Sequence, residues 1–130
     1  MHRILIVTTD RDSLSPFAAS LEESHEVRVA WAATGEEAIA DVRKNAPLGV
    51  IIDENLLDMP GLELVRRILP INALIHTVVI SDLPPDAFHD ASEGLGILAQ
   101  LAPKPSPSDA RTVLARLRKM SSLALERPRT

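Results

Sequence analysis

The chain has 130 residues, 45% of them hydrophobic and 25% charged, which is enough apolar side chain for one layered core and too little chain for two full domains. A formal net charge of −4 leaves no electrostatic footprint for nucleic acid, so direct nucleic-acid binding is not expected. With no cysteine, disulfides and thiolate metal sites are excluded, and His2, His25, His76 and His89 are scattered without ligand spacing.

Short apolar runs rich in β-branched residues alternate with segments of helical period, the pattern of repeated βαβ units around a parallel sheet. The first predicted strand is Arg3 to Thr8; Leu14, Phe17, Ala18 and Leu21 then recur at helical spacing, with Asp12 or Ser13 as the cap. Glu26 to Trp31 is the second strand, and the next helix opens at Thr34 with Glu37 completing a capping box, sets Ala38, Val42 and Ala46 on one face, and stops at Pro47. Leu48 to Ile52 is apolar throughout, as a strand covered on both faces requires, and Leu62, Val65, Ile68 and Leu69 stripe the helix after it. Thr77 to Ser81 is the fourth strand. Pro84 and Pro85 start a short helix through Glu93, with Ala87 and Ala91 one turn apart, and Gly94 and Gly96 end it. Ile97 to Ala102 is the fifth strand; after Pro103-Lys104-Pro105, a last helix begins near Ser108 on Ala110, Val113, Leu114 and Leu117, and Glu126 to Thr130 read as a frayed tail. The expected division is one domain over residues 1–122 and a tail over 123–130. The apolar runs fall far below the ~18 residues of a membrane span and no leader precedes them, so a soluble, unprocessed cytoplasmic chain is expected.

In an open parallel sheet, ligands bind beyond the carboxyl ends of the strands, where loops diverge and helix N-termini point outward. Thr8, Thr9 and Asp10 follow the first strand, Asp53, Glu54 and Asn55 the third, Ser81 and Asp82 the fourth, and Lys104 the fifth. Carboxylates, a hydroxyl and an ammonium on one rim suit capture of a phosphoryl group: Asp53 as nucleophile, Ser81 bonding a phosphoryl oxygen, Lys104 balancing charge. A lone aspartate at a strand end is more often a turn residue, a lone lysine a solvated one, and Asp10 and Asp12 are most simply helix-capping residues. Trp31 reads as a core-edge residue and Arg66-Arg67 as a solvated helix face.

The stretch Asp53-Glu54-Asn55-Leu56-Leu57-Asp58-Met59-Pro60-Gly61, followed in order by Ser81 and Lys104-Pro105, resembles the aspartate loop and downstream motifs of the response-regulator receiver family, over about Arg3 to Met120. That resemblance implies a flavodoxin-like, doubly wound five-stranded parallel sheet in the order 2-1-3-4-5 with helices on both faces. It also implies Asp53 as phosphoacceptor, Ser81 and Lys104 as phosphate-binding groups, and a cis Lys104-Pro105 bond. Magnesium is implied at Asp53, the Asn55 carbonyl and Asp10, the last only if the chain slips by one residue, and Ser81 with Leu101 takes the switch positions.

The chain departs from the family pattern in places. Thr8 and Thr9 stand where the family has an acidic pair, Asp82 where a small residue follows the hydroxyl, Leu57 where proline is common, and Leu101 where the switch is aromatic. Two readings stay open. One is a non-enzymatic phosphorelay receiver, served by a histidine kinase or phosphotransfer protein and signalling, or forming a homodimer, through its fourth helix, fifth strand and fifth helix. The other is a phosphorylation-independent interaction module. An unrelated enzyme on the same scaffold lacks support, since no glycine-rich cradle and no nucleophile elbow are present.

Overall fold

The computed structural model describes residues 2–125, and the side chains of residues 2–120. Five strands and five helices alternate: β1 His2–Val7, α1 Arg11–Glu22, β2 Val27–Ala32, α2 Gly35–Lys44, β3 Gly49–Asp53, α3 Gly61–Ile68, β4 His76–Ile80, α4 Pro85–Ser92, β5 Ala99–Leu101 and α5 Pro107–Leu125. All neighbouring strands are parallel, in the order β2-β1-β3-β4-β5. This is the flavodoxin-like fold that the alternation and the motifs lead one to expect. The tail expected over Glu126 to Thr130 lies outside the described residues. No described helix is long and apolar enough to cross a membrane.

The period-2 alternation of side chains sorts the central strands onto two cores. Leu5, Val7, Val50, Ile52 and Val79 meet Ala38 and Val42 of α2, Leu62 and Val65 of α3, and Phe88 of α4 on one face. Ile4, Ile6, Ile51, Val78 and Ile80 meet Leu14, Phe17 and Leu21 of α1 and Val113 and Leu117 of α5 on the other. Continuous apolar runs in β1 and β3 are what a doubly covered strand needs: Ile4 to Val7 and Val50 to Ile52 are fully buried.

Helix starts follow local chemistry. The cap of α1 is Asp10, which the sequence also offers as a helix-capping residue, rather than Asp12 or Ser13; its carboxylate accepts from the Ser13 backbone N–H at 3.3 Å and the Ser13 hydroxyl at 2.5 Å. The cap falls early because Asp10 N–H is itself held by Thr8 Oγ1 at 3.0 Å, which turns the chain into the helix at once. At α2, Thr34 accepts from Glu37 N–H at 3.1 Å as the capping box requires, while the Glu37 carboxylate reaches Ala33 N–H at 2.9 Å. Asp58, from the loop after β3, adds a second clamp by accepting from Gly35 and Glu36 N–H at 2.9 and 3.0 Å.

Two further expectations give way. Ala87 and Ala91 are both exposed, and α4 docks through Phe88 instead; the Pro84 cap and Pro85 at the helix start set a phase that turns the aromatic residue inward. The Lys104-Pro105 bond is not cis, since no described peptide bond is. The chain reverses instead through Lys104, whose φ of 56° is left-handed. Gly94 and Gly96, at φ of 81° and 65°, take up the turn after α4, and β5 pairs only over Ala99–Leu101, shorter than the predicted Ile97 to Ala102. Trp31 is half-buried at the core edge as read from sequence, with Arg11 stacked 4.7 Å above its ring.

Candidate functional site

The register Val7↔Ile52 places Thr8 opposite Asp53, one step past the paired residues at the carboxyl end of the sheet. The buried Thr8 hydroxyl donates to Asp53 Oδ2 at 3.1 Å, and Asn55 N–H donates to Asp53 Oδ1 at 3.0 Å. Each oxygen of the carboxylate therefore has a neutral donor. On β4 the first residue past the strand is Ser81, pinned by its N–H to Leu101 O at 2.9 Å and buried. Its Oγ accepts from Leu83 N–H at 3.2 Å, so the serine side chain itself closes the turn after β4.

One cleft of about 170 Å³ brings together Thr8, Asp10, Asp53, Asn55, Ser81, Asp82 and Lys104. Asp53, Ser81 and Lys104 therefore meet at one lip of the sheet. Thr9 and Leu101 do not line the cleft: Thr9 is exposed, as alternation dictates for the neighbour of an inward Thr8, and Leu101 is buried in the core under α1 and α5. Lys104 is exposed and takes part in none of the ion pairs found among the described residues. Its charge is felt at Asp10, whose carboxyl is held below the usual range mainly by the two hydrogen bonds from Ser13 and, more weakly, by that ammonium.

Glu54, which sequence places on the rim without a role, borders the site beside Asp53 and Ser81. Burial pushes its carboxyl above the ordinary range; the Ser81 hydroxyl pulls it back, and the Asp53 and Asp82 charges push it further up. Its Oε2 is sealed from solvent and has no hydrogen-bond partner. The signal that could have given it a role is register, because a residue one step past Asp53 lies across from the residue one step past Ile80.

A resident magnesium ion wants octahedral oxygen coordination, with carboxylates as its charged ligands. Here Asp10 and Asp53 line the cleft with Asn55, but both Asp10 oxygens already accept from Ser13, and Thr8 and Thr9 carry no charge. The donor set is poorer in free carboxylate than a resident magnesium ion prefers.

Residues 4–105 match the family model described as the response regulator receiver domain. No curated protein matches the sequence. Among solved structures, the chain is similar to a CheY-like response regulator receiver domain protein from Methanospirillum hungatei JF-1, with 23% identity, 94% of this chain and 98% of that one covered, and a TM-score of 0.81. It is similar to the N-terminal domain of an uncharacterized protein from Wolinella succinogenes at 26% identity, 97% and 100% coverage and a TM-score of 0.81. The signal receiver domain of a putative Luxo repressor protein from Vibrio parahaemolyticus superposes with a TM-score of 0.85 at 17% identity, covering 98% of each chain.

Proposed function

The chain belongs to the response regulator receiver domain family, and from that premise we propose that it accepts a phosphoryl group on Asp53 from a phosphohistidine donor. The family is one of signalling domains rather than metabolic enzymes, and its members generally interact with histidine kinases or phosphotransfer proteins. The observation that carries the proposal is the single cleft lined by Asp53, Ser81 and Lys104. In the transfer, an Asp53 oxygen forms a bond to phosphorus while the P–N bond of the donor breaks and the imidazole leaves with the electron pair. Thr8 and Asn55 aim the nucleophile, the Ser81 hydroxyl donates to a phosphoryl oxygen, and Lys104 supplies the positive charge.

Receiver domains generally bind Mg²⁺ at the phosphorylation site. Asp10 is taken up by the α1 cap, so the positive charge at the phosphoryl group falls chiefly to Lys104. The proposed output runs through α4, β5 and α5, also the proposed homodimer face. Leu101 occupies the end of β5 and its backbone holds Ser81 N–H, so the lever on that face is aliphatic packing rather than rotation of an aromatic ring.

The experiment is incubation with phosphoramidate followed by intact mass. A base-labile adduct of about 80 Da is expected, and it should be lost in Asp53→Asn. A second reading, a phosphorylation-independent interaction module, is favoured by the Asp10 cap and by Asp82 in the cleft wall. Absence of any adduct over hours decides for it.

A further inference from the structure

β3 and β4 are in register at Asp53↔Ile80, and the ladder continues one step beyond, with Glu54 N–H donating to Ile80 O at 2.9 Å. Glu54 and Ser81 are thus cross-strand neighbours, and on parallel strands such neighbours project from the same face. By alternation from Ile52 and Val79, that is the α2/α3/α4 face, whereas Asp53 and Ile80 lie on the α1/α5 side. The backbone of Glu54 cannot drift: its carbonyl accepts from Gly61 N–H at 3.0 Å, and a Cβ on Gly61 would sit 3.0 Å from Glu54 Cα.

Ser81 Oγ already accepts from Leu83 N–H, which leaves its proton for one acceptor. Glu54 has an oxygen sealed from solvent without a partner, and the Ser81 hydroxyl is the side-chain donor on the neighbouring strand that shares its face. We propose that Glu54 is a positioning residue for Ser81: its half-buried carboxylate is the resting acceptor of the Ser81 hydroxyl, so an anion arriving on Asp53 has to win that hydroxyl from Glu54. This regulation of the site rests on the phosphoryl-accepting reading above. The hydroxyl then has two alternative partners on opposite faces of the sheet, and Glu54 sets how readily it changes over.

The test combines Glu54→Leu, Glu54→Gln, Ser81→Ala and the Leu/Ala double variant, read by phosphoramidate labelling and by urea unfolding. Glu54→Leu should speed labelling severalfold, and the gain should vanish in the Ser81→Ala background. Glu54→Gln, which removes the charge but keeps an acceptor, should stay near the native rate. In unfolding, the Leu/Ala cycle should be non-additive by about fivefold in the equilibrium constant. Equal acceleration with and without Ser81, acceleration by Gln, or an additive cycle each overturns the proposal. A native chain that takes no label removes the phosphoryl reading instead, and the unfolding cycle still decides the Glu54–Ser81 pairing. If Glu54→Leu does not fold, Glu54→Ala and Ser81→Ala supply the cycle, with the same non-additivity expected and additivity again overturning the proposal.

Discussion

The Thr8 hydroxyl donates to Asp53 Oδ2 across 3.1 Å from the neighbouring strand, and the same oxygen of Thr8 accepts Asp10 N–H at 3.0 Å. A neutral side chain thus does two jobs at once. It holds the carboxylate in place, and it starts α1 early enough that the Asp10 side chain turns to Ser13.

Charge at this position decides whether a dication can reside in the cleft. In Thr8→Asp/Thr9→Asp, the thermal midpoint without metal should fall, because a buried carboxylate then faces Asp53. Saturating Mg²⁺ should raise it by several degrees, since an ion bound only to the folded state stabilises by mass action. The native chain should show no Mg²⁺-dependent rise. Thermal scans across a magnesium series check both, and a saturable rise in the native chain would sink the argument from donors.

Asp82 stands in the cleft wall with Asp53 and Ser81. A carboxylate near an incoming phosphoryl repels it, and because Asp82 is exposed, solvent screens most of that repulsion. Asp82→Ala should therefore raise the phosphoramidate labelling rate only about three- to tenfold. Single-exponential labelling kinetics at fixed ionic strength measure it, and the gain should shrink as salt is added.

Gly61 and Gly35 both pack tightly, for different reasons. A Cβ on Gly61 would lie 2.9 Å from the Asp53 carbonyl oxygen and 3.0 Å from Glu54 Cα, both backbone atoms at the site. Gly61→Ala should cost about 1–3 kcal/mol and slow labelling as well. A Cβ on Gly35 meets only the Met59 side chain, as close as 2.5 Å, and a thioether chain can swing aside. Gly35→Ala should cost less and leave labelling unchanged; urea midpoints of the two variants make the comparison.

Asp58 carries an acid-sensitive clamp. Its carboxyl is held below its ordinary value of 3.8, first by the Gly35 and then by the Glu36 backbone N–H. A depressed folded-state pKa means that the clamp is fully present above the unfolded value and is lost as pH falls through the folded one. Native stability should drop below about pH 4, and Asp58→Asn should lose part of that drop while lowering the thermal midpoint at neutral pH by a few degrees. Unfolding midpoints of both chains from pH 7 to 3 test it; parallel curves would refute it.

Some of this protein could be read along the chain and some could not. The β-branched runs, the stripe of α3 and the Thr34/Glu37 box were legible because hydrophobic period and capping are local. Asp53, Ser81 and Lys104 could be placed on one rim because strand ends of a parallel sheet share an edge. The α4 docking residue was not legible: two helix-spaced alanines and one phenylalanine offer competing faces, and only contact with the sheet selects Phe88. Glu54 could be placed on the rim but not given a role, because its cross-strand neighbour Ser81 lies in another segment.

Sequence by itself determined the alternation of elements, the two-sided burial of the central strands and the residues that crowd the carboxyl rim, since these follow from local period and from side-chain type. Tertiary structure alone decided that Lys104 bends the chain through a left-handed backbone and that Glu54 lies across from Ser81. The physical reason is that a polar group's partner is whatever the fold brings within hydrogen-bond reach, and in a parallel sheet that partner comes from a strand separated by a whole crossover of the chain.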